Sequence, residues 1–131
     1  MSKMTVTAYL RGSTIGNPNS NGHFYLASLA STHKVEKFKL VREPDNPYDP
    51  HAILVHGAKL YKGQKYGYIE ASIARMVSHY IDGGYRVLVT DYDMYMCSDG
   101  EHRSVKFTLE IDMDAAQKDS YRLRRARLSK I

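Results

Sequence analysis

Apolar residues fall at every second position from Met4 to Leu10. Met4, Val6, Ala8 and Leu10 alternate with Thr5, Thr7 and Tyr9, the period of a strand with one buried face. The small and amide-bearing residues from Gly12 to Gly22 predict a loop. His23 to Ala30 fits either a strand or one short helix. Strands are expected at Lys37–Val41, at Ala52–His56 with its β-branched Ile53 and Val55, and at Lys65–Ile69. Ile73, Met76, Val77, Tyr80 and Ile81 then recur at i, i+3, i+4, i+7 and i+8, one continuous helical stripe. Gly83-Gly84 supplies its left-handed stop. Two more strands, near Tyr85–Met96 and Arg103–Ile111, flank the turn Ser98-Asp99-Gly100. Asp114 could cap a final helix, or the residues after it stay without a fold of their own.

Short strands around one or two helices predict a mainly β fold. A small, strongly curved sheet closing into a partly closed, six-stranded, OB-like β-barrel is the natural solution, because closure removes exposed edges. The 131 residues suit one domain, and 43% hydrophobic residues can fill its core. A single cysteine, Cys97, excludes an intrachain disulfide, and no cysteine cluster suggests zinc. No run is apolar for the ~18 residues of a membrane span, and Met1-Ser2-Lys3-Met4 holds no signal-peptide core. A cytoplasmic protein is expected, or a nuclear one in a eukaryote.

Charge changes the picture only at one end. The net charge is +5, and Lys118, Arg122, Arg124, Arg125, Arg127 and Lys130 against Asp119 account for all of it. Residues 1–117 are neutral on balance. A nucleic acid or another acidic partner is compatible with this, but the body must bind it through placed groups rather than a general field.

The informative stretch is Arg42-Glu43-Pro44-Asp45-Asn46-Pro47-Tyr48-Asp49-Pro50, between two expected strands. It holds three of the four prolines, each fixing its own φ and extending its predecessor. Such a stiff connection displays Asn46, Tyr48 and Asp49 as a small polar site requires. It also reads as a loop held by Asn and Asp on their own backbone, with Tyr48 packed as a lid.

This segment, followed by Ala52-Ile53-Leu54-Val55 and by Gly67-Tyr68-Ile69 before a helix, resembles the signature of the HIRAN domain family. The resemblance is dense from Leu40 to Ile81 and spans roughly Thr5 to Ile111. It implies a HIRAN-like domain over residues 1–113 followed by a basic tail or helix over 114–131. It also implies an OB-like barrel of the kind attached to DNA remodelling and repair helicases, where the module captures the 3′ end of single-stranded DNA. On that resemblance Asp49 accepts the terminal 3′-hydroxyl, Tyr48 packs on the last sugar or base, and Asn46 shapes the turn or touches the backbone. The family's Arg-aromatic pair on the first strand has its nearest candidates in Tyr9 and Arg11. Where the family can place a lysine at the start of the helix, this chain has Glu70-Ala71-Ser72, so one phosphate contact lacks its cation.

The chemistry stands by itself. A carboxylate accepts hydrogen bonds and donates none, so it rewards a hydroxyl and repels a phosphate. His51, beside the Asp49-Pro50 pair, could meet a phosphate when protonated, or serve as a surface residue. Lys62 and Lys65 interleave with Tyr61 and Tyr66, the composition of a single-strand groove or of a basic hairpin. The basic tail could bind phosphates, or dock on an acidic partner. No metal or other cofactor is expected: the six histidines form no dense ligand motif. No phosphate loop, nucleophile elbow or nuclease cluster is present, so no enzyme is expected. The sequence thus predicts a non-catalytic module for single-stranded DNA with a free 3′ end, working beside a separate helicase or nuclease. The alternative is a protein adaptor that uses the same fold and tail on an acidic partner.

Overall fold

The computed structural model describes residues 3–11, 22–32, 35–100 and 103–113. They run as β1 (Lys3–Arg11), α1 (Gly22–Thr32), β2 (Phe38–Arg42), β3 (Ile53–Gly57), β4 (Lys65–Ile69), α2 (Ala71–Asp82), β5 (Arg86–Met96) and β6 (Arg103–Asp112). The expected basic tail lies outside the described residues. The ambiguous stretch after Gly22 is a helix, because Leu26 and Leu29, three apart, are both buried there.

The strands form one antiparallel sheet in the order β2-β3-β4-β1-β6-β5. β1 serves both halves. It pairs with β6 from Lys3↔Asp112 to Tyr9↔Lys106, and its last residues pair with β4 as Leu10↔Ile69 and Arg11↔Tyr68. The sheet therefore curls near Tyr9. Bulges between Val55 and His56 and between Val89 and Asp91 add to the bend. Gly67, opposite Val55, adopts φ 148°, a conformation closed to most residues with a Cβ.

The curl brings the two end strands face to face. The ring of Phe38 in β2 lies 4.8 Å from Tyr92 in β5 and 5.1 Å from Phe107 in β6. No ladder joins β2 to β5, so the barrel is partly closed, as the pattern predicts. Its interior is filled by Ala8, Leu10, Ile53, Val55, Tyr66, Phe107 and Leu109, with Leu26 and Leu29 of α1 and Ala74 and Val77 of α2.

Four residues of the expected stripe, Ile73, Val77, Tyr80 and Ile81, pack on the core, but Met76 is exposed, and Ala74 and Ser78 are buried beside Val77 instead. Small Ala74 and Ser78 lie one turn apart and let the helix approach closely. Ser78 Oγ is satisfied there by the Arg75 carbonyl (3.0 Å) and sits 3.2 Å from His51 Nδ1. Of the two glycines after the helix, Gly84 takes the left-handed turn, at φ 85°.

Glu36 is a buried acid that the sequence pattern does not mark. Its Oε1 accepts the N–H groups of Lys37 (2.8 Å), Lys59 (2.9 Å) and Leu60 (2.8 Å). Its Oε2 accepts the Tyr61 N–H (2.9 Å) and the Tyr66 hydroxyl (3.1 Å). Burial pushes this carboxyl up, but the four backbone amides outweigh burial and hold it below the ordinary value. The Tyr66 phenol is pushed up, first by burial and then by Glu36. One carboxylate thus fixes the loop between β3 and β4.

Candidate functional site

The connection from β2 to β3 is held at three levels. At its base, the Glu43 N–H donates to the Ala52 carbonyl (3.0 Å), closing the loop where the strands part. Within it, Asn46 Oδ1 accepts the N–H groups of Tyr48 (2.9 Å) and Asp49 (3.1 Å), while Asn46 Nδ2 donates to Glu43 Oε1 (3.1 Å). At its end, Asp49 Oδ1 accepts the His51 N–H (2.8 Å) and the Asp49 carbonyl accepts the Ala52 N–H (3.1 Å). The prolines remove competing donors, so side chains of Asn and Asp organise the backbone.

The loop's side chains therefore have different duties. Asn46 is spent on shaping the turn. Tyr48 is 94% exposed, so it is not a packed lid. Asp49 is half-buried and uses one oxygen on the His51 N–H; among the described residues its Oδ2 accepts no hydrogen bond.

Asp49 faces a cleft of about 260 Å³ lined by Arg11, Asn46, Tyr48, Asp49, Ala52, Tyr68, Ile69 and Ala71. The register explains the assembly. Arg11 ends β1 and pairs with Tyr68 of β4, so both project from the face opposite buried Leu10 and Ile69. Tyr68 donates its hydroxyl to Glu43 Oε1 (2.9 Å), which fixes its ring against the loop. Burial, and then Glu43, push that phenol up, keeping it a neutral donor. Ala71 opens α2, whose N-terminal end favours negative charge.

Arg11 and Asp49 line one cleft without forming an ion pair. One guanidinium nitrogen of Arg11 donates to the Leu10 carbonyl (3.1 Å), and the group lies 5.6 Å from the Tyr9 ring centre. Tyr9 stands beside the cleft, with Tyr95 edge-on at 6.2 Å. The Tyr9 N–H donates to Glu70 Oε1 (3.1 Å), and the Glu70 N–H returns a bond to the Tyr9 carbonyl (2.9 Å). Glu70 thus ties β1 to the start of α2.

The structure brings Asp49, Tyr48, Asn46 and Arg11 together, with Tyr9 adjoining. It does not bring His51, Lys62 or Lys65 there. His51 turns towards α2, its Nδ1 near Ser78 Oγ and its ring 5.6 Å from that of His79. Lys65 begins β4 and Lys62 precedes it, at the end of the strand away from Tyr68. Tyr68, Arg42 and Glu43 lie inside the motif segments, but the sequence pattern does not mark them as site residues. The signal was their place in those segments; their partners come from β1 and α2 and cannot be read locally. Among the described residues no three His, Cys, Asp or Glu side chains gather as metal ligands do, and no helix is long and apolar enough to cross a membrane.

The family model of the HIRAN domain matches residues 21–114. Among solved structures, the fold is similar to a protein from Lactobacillus plantarum, with a TM-score of 0.50 and 21% identity over 84% of this chain and 97% of that one. A second similar structure is the HIRAN domain of human HLTF, with a TM-score of 0.48 and 15% identity over 89% of this chain and 88% of that one. No curated protein matches the sequence.

Proposed function

The chain belongs to the HIRAN domain family, whose members bind DNA, and from that premise we propose that its cleft receives the 3′-hydroxyl end of single-stranded DNA without catalysing a reaction. The observation that carries this reading is Asp49: a carboxylate lining a cleft that also holds Arg11, with one oxygen held by the His51 N–H and the other without a hydrogen bond among the described residues. The fixed oxygen sets the direction of the free one, which would accept the terminal hydroxyl. Arg11, across the cleft, would take the phosphate on the other side of that sugar. Tyr48 offers an open ring to the sugar or base, and Tyr68 closes the floor.

Selectivity follows from the sign of the charge. A hydrogen bond to an ionised group contributes about 1.5–3 kcal/mol, or one to two decades in affinity. A 3′-phosphate or an internal nucleotide brings a negative charge to Asp49 and forfeits that bond. His51 has no place in this contact. Lys62, Lys65 and the basic tail would meet only phosphates further along the strand. Lacking a cluster of nucleophile and base at the cleft, the module would hold an end for a separate helicase or nuclease.

Fluorescence anisotropy with single strands ending in 3′-hydroxyl or 3′-phosphate tests the reading, using the parent chain, Asp49→Ala and Asp49→Asn. Asparagine can still accept the His51 N–H, so that variant keeps the loop while it turns the free acceptor oxygen into an uncharged NH₂ donor. The expected result is tighter binding of the hydroxyl end by the parent and near-equal binding of both ends by each variant. Equal affinities in the parent would sink the proposal.

A further inference from the structure

The curl that leaves the barrel partly closed also leaves a trough between the open edges of β2 and β5. It consists of two adjoining cavities of about 290 and 450 Å³ that share Lys37, Phe38, Val89 and Thr90. They share no lining residue with the cleft at Asp49. We propose that this trough docks an acidic, extended peptide segment of a partner protein.

Three features point to that occupant. The first is charge. Lys37, Lys39 and Lys59 line the trough, all exposed, and among the described residues none of the three forms an ion pair. Of the two acids on the lining, Glu36 is buried with both oxygens taken, and Asp91 accepts the Tyr92 N–H (2.9 Å). The second is apolar surface. Val35 is 66% exposed and Leu88 46% exposed, beside half-buried Val87 and Val89.

The third is the backbone. The Lys37 carbonyl accepts the Ala58 N–H at 2.7 Å, on the side of β2 that faces β3. Alternation along an antiparallel strand then turns the N–H and C=O groups of Phe38 and Leu40 to the other side, into the trough. Unpaired backbone groups beside apolar neighbours can hydrogen-bond to an extended chain laid along the trough. In such a chain successive side chains point opposite ways, so an alternation of aliphatic and acidic residues would serve the apolar lining and the lysines at once.

A single nucleic-acid strand would satisfy the lysines but little else. Sequence-tolerant binding of bases uses open aromatic faces. Of the rings here, Phe38 is buried, and Tyr92 is half-buried with its hydroxyl accepting the Glu36 N–H (3.0 Å). The trough also stands apart from the DNA reading: its occupant could bind while the cleft is filled.

The test uses the full chain and fluorescein-labelled twelve-residue peptides in which Glu alternates with Val or Leu, with Lys-for-Glu counterparts and an unstructured oligothymidine as comparators. Anisotropy is measured on the parent, Lys37→Glu/Lys39→Glu, Leu88→Asp and Asp49→Ala, each first checked for an unchanged unfolding midpoint. The expected result is binding of the acidic peptides, a loss of tenfold or more in the double variant and in Leu88→Asp, and no change in Asp49→Ala. Failure of every acidic peptide to bind better than its basic counterpart overturns the proposal. So does full affinity in the double variant, which would assign the attraction to the basic tail. Loss of oligothymidine binding in the double variant, with no peptide bound, would reassign the trough to nucleic acid.

Discussion

Arg42 and Asp82 lie forty positions apart and meet side by side, Nε donating to Oδ1 at 2.9 Å and Nη2 to Oδ2 at 3.1 Å. The same guanidinium donates to the carbonyls of Ala52 (2.9 Å) and Pro50 (3.0 Å). One planar fork thus ties β2, the far end of the proline loop and the last residue of α2. Asp82 is 56% exposed, so the ion pair itself is weak, and the two carbonyl contacts carry more of the effect.

Arg42→Ala is therefore expected to lower stability by about 1–3 kcal/mol and to loosen the loop that holds Asp49. Arg42→Lys keeps the charge but not the fork, and recovers less than half of the loss. Urea unfolding gives the first result, as a lower midpoint at unchanged slope. Weaker binding of the 3′-hydroxyl end in both variants gives the second. A midpoint equal to the parent's would show that the clamp is idle.

Tyr48 offers the opposite case. At 94% exposure it supports nothing in the fold, so Tyr48→Ala should shift stability by no more than about 0.5 kcal/mol. Stacking is worth about 1–3 kcal/mol per base, so DNA affinity should fall by roughly one decade or more. Tyr48→Phe keeps the ring and should retain most of it. Thermal unfolding together with anisotropy separates the two effects. A stability loss that matches the binding loss would mean that the ring packs after all.

The strands were legible because alternation is local: Val6, Ala8 and Leu10 announce a buried face wherever their partners lie. The loop from Arg42 to Pro50 was legible because proline and asparagine act on their own neighbours. What escaped was set by distance. The Glu36 acceptors bind donors 23 to 25 positions away, and no composition rule distinguishes that carboxylate from an exposed one. Met76 fits the helical period, yet the close approach allowed by Ala74 and Ser78 turns α2 so that it faces outwards. His51 lies two positions from Asp49 yet points to another element, because the chain turns at Pro50 and His51 instead of running extended.

Arg11 allows a measurement of phosphate contact. It ends β1 in the same cleft as Asp49, and its guanidinium keeps donors beyond the one given to Leu10. Arg11→Ala should weaken binding of both 3′-hydroxyl and 3′-phosphate strands and reduce the slope of log K against log salt by about 0.7, the value for one phosphate on a single strand. The ratio between the two ends should stay near the parent's, since that ratio belongs to Asp49. An unchanged salt slope would remove Arg11 from the interface and leave the phosphate to another cation.

Glu36 makes stability depend on pH in a direction that the structure fixes. Its folded pKa lies below the ordinary value of 4.5 because four amide donors favour the ionised form over the penalty of burial. The contribution is therefore complete above that ordinary value and is lost as pH falls through the lower, folded one. In Glu36→Gln one acceptor oxygen becomes an NH₂ group that faces donors, so roughly 1–3 kcal/mol of stability should be lost at neutral pH. Because the glutamine does not titrate, the gap between parent and variant should narrow as the pH is lowered. Urea unfolding of both proteins from pH 7 down to pH 3 gives the comparison. A gap that stays constant across this range would mean that the loss comes from packing around the side chain rather than from its charge.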